Sequence, residues 1–83
     1  MTAVTINVTA DDIAEGSCGS VMGCPVALAA QRKFGTAIAV NLLKIYAPKK
    51  GWSVMTPEPA WKFIRDFDDG SHVSPFTFTI EVP

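Results

Sequence analysis

The chain has 83 residues, 48% of them hydrophobic, with eight acidic and seven basic side chains and a net charge of −1. A length of this order makes one small domain that buries about 60–65% of its unfolded surface, so its core is thin. No apolar run reaches the ~18 residues of a membrane span, the first residues carry no basic leader, and two cysteines make no disulfide scaffold. The expectation is a cytoplasmic protein with reduced thiols, no membrane contact and no cofactor.

Charge is unevenly spread. Residues 1–31 carry Asp11, Asp12 and Glu15 and no base, residues 32–65 carry all seven bases against Glu58, and residues 66–83 carry Asp66, Asp68, Asp69 and Glu81. Three solvated faces that offset one another after folding account for this. The alternative is a nucleic-acid module using the basic middle, where Lys49 and Lys50 stand beside Trp52.

In chain order, Val4, Ile6 and Val8 alternate with Thr5, Asn7 and Thr9, the pattern of a half-buried strand. Thr9 then reads as an N-cap for a short helical segment, Ala10 to Glu15, with acids in its first turn and Gly16 at its end. Asp11, Asp12 and Glu15 are read as helix-start residues. Residues 17–23 form a loop by composition. Pro25 opens a helix to Phe34 that stops at Gly35, with Arg32 and Lys33 at the negative end of the dipole. Val26, Ala27, Ala30 and Phe34 share one face, and Leu28 falls off it.

Ala37 to Tyr46 reads as one long strand, with Ile38, Val40 and Leu42 on one side and Leu43 and Ile45 on the other. A turn at 48–51 returns the chain through a strand from Trp52 to Thr56. Thr56 and Pro57 fit the start of a second helix running to Asp69, whose Ala60, Phe63, Ile64 and Phe67 make the clearest helical stripe in the chain. Trp61 lies at the edge of that stripe. Phe76, Phe78, Ile80 and Val82 then alternate with threonines and Glu81 in a closing strand. The resulting order, β-(short α)-α-β-β-α-β, predicts an α+β fold: a four-stranded antiparallel sheet with two main helices on one face, for which a ferredoxin-like topology is one concrete arrangement.

Three stretches resemble a group of small proteins encoded by actinobacteria and their bacteriophages, for which no activity is established. They are T-I-N-V-T-A-D-D-I-A-E-G at 5–16, C-P-V-A-L-A at 24–29 and F-I-R-D-F-D-D-G-S-H-V-S-P-F-T-F at 63–78. In that group the cysteine ahead of C-P-V-A-L-A sits at C-x-x-C spacing. Here five residues separate Cys18 from Cys24, which weakens any metal or redox role tied to the shorter motif. The resemblance implies a phage-type accessory context and a bacterial host, with no mechanism attached.

No catalytic set is legible. Cys24 at a helix start is a candidate nucleophile, because unpaired amides there stabilise a thiolate. A cysteine enzyme needs a base as well, and the only histidine, His72, lies in a distant loop. Two thiols and one imidazole also fall a ligand short of a structural zinc site. The chain is therefore read as a non-enzyme without metal. The apolar surplus, a mean hydropathy of +0.25 on a thin core, points to protein–protein contact and a two-fold homo-oligomer. Leu28, Leu43, Ile45 and Trp61 are the interface candidates, centred on the Asn41–Tyr46 strand end or the Leu28 helix face.

Overall fold

The computed structural model describes all 83 residues and is an α+β domain with three helices and two antiparallel sheets. Strand β1 (Thr2–Val8) pairs along its whole length with β5 (Phe76–Val82), Thr2 opposite Val82 and Val8 opposite Phe76. Side chains alternate across each strand, so Ile6, Val8, Phe78, Ile80 and Val82 face the core while Thr5, Asn7, Thr77 and Thr79 face solvent. On that solvent face the hydroxyls of Thr5 and Thr79 lie 3.2 Å apart.

The second sheet is β2 (Ala39–Val40), β3 (Lys44–Ala47) and β4 (Trp52–Met55), in that order. Strand β4 lies beside β5, but the two sheets are not joined by hydrogen bonds. The single four-stranded sheet expected from the sequence is thus two sheets, and the ferredoxin-like arrangement finds no support in these pairings.

The difference starts at Asn41. Its side-chain Oδ1 accepts hydrogen bonds from the amides of Leu43 (2.8 Å) and Lys44 (2.7 Å), and its own amide donates to the Lys44 carbonyl (2.9 Å). An asparagine that caps its own turn offers the backbone an alternative to extended pairing. The segment expected as one strand over 37–46 therefore folds back on itself, with Ala39 opposite Tyr46 and Val40 opposite Ile45. Inside and outside are reset across the turn. Ile45, expected on the face opposite Ile38 and Val40, joins both in the core with no exposure.

Helix α1 (Ala10–Glu15) is held at its start by a reciprocal capping box: the Thr9 hydroxyl accepts from the Asp12 amide (3.2 Å), and the Asp12 carboxylate accepts from the Thr9 amide (2.9 Å). Helix α2 (Pro25–Phe34) follows, capped by Cys24 and ended by Gly35 in the left-handed region. The two helices meet closely at Gly16, where a Cβ would lie 2.6 Å from the Pro25 ring. Only glycine lets the end of α1 sit on the start of α2.

Arg32 of α2 clamps this corner. Its guanidinium donates to both carboxylate oxygens of Asp12, at 2.7 and 2.9 Å, and to the Asn7 carbonyl at 2.9 Å. The Asp12 side chain is 5% exposed and that of Arg32 53%, so a buried anion meets a half-solvated cation in fork geometry. The pairing with Arg32 holds the Asp12 carboxyl below the usual aspartate range, with the Thr9 bonds adding to it and burial opposing.

Helix α3 (Glu58–Asp68) starts one residue later than the sequence suggests, with Pro57 and not Thr56 as its N-cap. Thr56 is instead spent on the hairpin, its hydroxyl donating to the Asn41 carbonyl (2.8 Å) and its amide to the Leu43 carbonyl (3.0 Å). Ala60, Phe63 and Ile64 are buried and Phe67 is half-buried. Phe63 stacks on Phe76 at 4.7 Å and on Phe67 at 6.1 Å, and Phe76 continues to Phe78 at 5.7 Å. This aromatic row joins α3 to β5, and with Val26, Ala27 and Ala30 of α2 it forms one core.

Phe63→Ala is expected to cost about 3–5 kcal/mol, a large share of a small domain's stability. Phe67→Ala should cost less, about half that, since Phe67 is only partly buried. Urea denaturation of the two variants checks the ranking, and equal losses would contradict it.

Asp12→Asn is expected to cost about 2 kcal/mol, the range for a hydrogen bond to a charged group. Because folding lowers the Asp12 pKa, the contribution is complete above the unfolded carboxyl value. It is lost as pH falls through the lower folded value. Denaturant titrations should show a constant gap between wild type and variant from about pH 5 upward, closing below about pH 4. A gap that widens in acid would reverse the assignment.

Candidate functional site

The loop at 17–23 is pinned at many points. Within it, the Ser17 amide donates to the Gly23 carbonyl (2.8 Å), the Cys24 amide to the Ser20 carbonyl (3.1 Å) and the Gly23 amide to the Ser20 hydroxyl (2.9 Å). Outward, the Gly19 amide bonds Asp68 Oδ1 (3.0 Å) at the end of α3, and the Cys18 thiol reaches the Phe67 carbonyl (3.5 Å). The Val40 amide donates to the Val21 carbonyl (2.7 Å), and the Gln31 side-chain amide bridges the Met22 and Ile38 carbonyls at 2.8 and 3.0 Å.

With its backbone spent this way, the loop presents Val21 and Met22 to solvent at 45% and 47% exposure. The Asn41 turn beside it presents Leu42 and Leu43 at 47% and 76%, and Met55 at the end of β4 is 82% exposed. These side chains stand on adjacent, hydrogen-bonded backbone: Val21 on Val40, Leu43 on Thr56, and Met55 opposite Lys44. Five large apolar residues gathered at one end are unlike the scattered single exposures of an ordinary surface.

Between loop and turn lies a cleft of about 110 Å³. Its buried lining is Cys24, Val40 and Ile64, Val21 and Leu42 border it, and Asn41 and Asp68 supply polar groups. Ligand pockets usually enclose about 300–1,000 Å³. This one has room for a single side chain and no more.

Cys24 contributes to the cleft as a buried helix cap. Its sulfur accepts from the Ala27 amide at 3.4 Å as the N-cap of α2, and it is 3% exposed. Burial pushes its thiol pKa up, against smaller opposing effects of the Ala27 and Val26 amides. Cys18 is exposed, and both cysteines are free. No three histidine, cysteine or acidic side chains converge as a metal group would require.

Of the interface and nucleic-acid candidates named from the sequence, Leu43 alone belongs to this end. Ile45 is in the core and offers nothing to a partner, for the reason given by the Asn41 turn. Leu28 is half-buried on α2. Trp61 is half-buried on α3, with the Arg65 guanidinium 5.6 Å and the Lys62 amine 6.0 Å from its ring. Lys49 and Lys50 are exposed in the turn after β3, but Trp52 packs edge-on with Phe34 at 5.3 Å and does not stand free beside them. Val21, Met22, Leu42 and Met55 carry no periodic signal for this site in the sequence. Asn41 followed by two leucines is the signal that exposes Leu42, because an asparagine turn ends the strand that would have hidden it.

A thiol reagent should label one cysteine quickly in the native protein, Cys18, and the second only on unfolding. Fast labelling of both would contradict the placement of Cys24.

Comparison with protein-family models, with curated proteins and with solved structures returns no match to this chain.

Proposed function

We propose that this chain is a small accessory protein of the phage and actinobacterial type that acts by protein–protein contact, catalyses no reaction and self-associates. The observation that carries the reading is the cleft with its apolar surround. A one-side-chain cavity bordered by exposed aliphatic and thioether groups suits an anchor residue from another protein. Methionine at such a surface lets it adapt to the partner's shape. The hydrogen bonds that fix the loop and the turn hold the cleft open before a partner arrives, which lowers the ordering cost of binding. The partner proposed for it is a bacterial host protein that inserts one aliphatic side chain.

Leu42→Glu and Leu43→Glu place charge at the cleft and on the turn without touching the core. Immobilised wild type and the double variant are challenged with a bacterial host lysate. A protein retained by wild type and reduced about tenfold or more on the variant is expected, in keeping with the cost of disrupting a binding hot spot. Retention of the same proteins at the same level by both would reject the cleft.

A further inference from the structure

The outer edge of β1 answers to none of the roles described so far. Strand β1 has one hydrogen-bonded neighbour, β5, so one full edge of a seven-residue strand is unpaired. Exposed edges are normally blunted by charge, proline, a bulge or short length. Thr2-Ala3-Val4-Thr5-Ile6-Asn7-Val8 has no charged residue and no proline, and its register with β5 runs without a bulge.

The only bond to that edge is from Arg32 to the Asn7 carbonyl, at 2.9 Å. It shows which groups point outward. Backbone groups alternate direction along a strand, so those of Ala3 and Thr5 point the same way as Asn7, and none of them has a partner outside β5. Beside Asn7 and Thr9 a groove of about 290 Å³ runs against Ala29, Arg32 and Lys33 of α2. Leu28 lies one turn before Arg32, on the same flank of α2. Val4 is the one inward residue of β1 left half-buried among Ile6 and Val8.

We infer that this edge is the self-association surface, and that its occupant is the β1 strand of a second copy, paired antiparallel about a two-fold axis at Thr5. The inference deepens the self-association proposed above by giving it a place and a register. Pairing Thr5 with the partner's Thr5 places Ala3 opposite the partner's Asn7 and overlaps the whole strand. Each outward amide then meets an outward carbonyl. The Asn7 carbonyl keeps its Arg32 bond, since a carbonyl oxygen accepts two. The symmetry is isologous, as a closed dimer requires. A foreign extended peptide is satisfied by the same edge, but the uncharged, self-matching register favours the copy. The joined strands make one four-stranded ladder, β5-β1-β1-β5. It continues the apolar inner face past Val4 and brings the Leu28 flank of α2 under the partner strand.

Thr5 is exposed and sits on the axis, so charge placed there faces itself across the dimer. Light scattering coupled to size exclusion at micromolar concentration should give twice the 8.9 kDa chain mass for wild type. Thr5→Lys and Thr5→Glu should each run as monomers with the wild-type far-UV spectrum, and an equimolar mixture should regain the dimer mass. A wild-type dimer with both single variants still dimeric would overturn the edge while leaving self-association through another surface. A wild-type monomer would overturn both, leaving the cleft to its own capture experiment. Monomeric variants that fail to recombine would overturn the Thr5 axis.

Discussion

The contact between Asp12 and Arg32 is the constraint on which the remaining architecture depends. It joins three segments at one point: the end of β1 through the Asn7 carbonyl, the first turn of α1 through Asp12, and the last turns of α2 through Arg32. A six-residue helix has no stability of its own. Here the carboxylate that completes the cap of α1 also anchors the guanidinium, so one side chain fixes both the start of α1 and the angle of α2 against β1. Gly16 then allows the close approach to Pro25 that carries the chain into α2. Removing either charged partner leaves the other uncompensated in a part-buried corner, which is why such pairs are costly to break even where they add little to an apolar alternative.

From that corner the loop at 17–23 is delivered to the opposite end of α2, and the two ends differ in kind. One is polar and closed by charge. The other is apolar and left open, with Cys24, Val40 and Ile64 lining a cleft and Val21 and Leu42 at its border. Gln31 adds to the ties at this second end, donating to the loop at Met22 and to Ile38 just ahead of β2. The exposed aliphatic groups are therefore carried by backbone that has few other conformations available.

The elements with strict periodicity were legible from the sequence. The alternation in 4–8 and 76–82 placed β1 and β5 and their inner faces, the stripe from Ala60 to Phe67 placed α3, and Pro25 with Gly35 bounded α2. What escaped was set by hydrogen bonds of single polar side chains. Asn41 turned one long strand into a hairpin, sending Ile45 inward and Leu42 outward, and Thr56 served that hairpin instead of capping α3. The ion pair from Asp12 to Arg32 spans twenty residues, a distance at which no periodic signal operates. The exposure of Leu42 and Leu43 follows from that same turn, and Val21 and Met22 stand on a loop with no periodic pattern to mark them.

The ladder between β1 and β5 joins the first strand described to the last, Thr2 against Val82. Contacts that close such long loops are entropically late and slow to form. During synthesis Ile6 and Val8 emerge early, yet their hydrogen-bonding partners in β5 arrive only after every other element has been made. The nascent chain can assemble α2, the β2–β4 meander and α3 from local contacts, but it cannot seal its core. Commitment to the native state therefore waits for β5, and until that strand is made an uncharged β-forming segment stands without its mate.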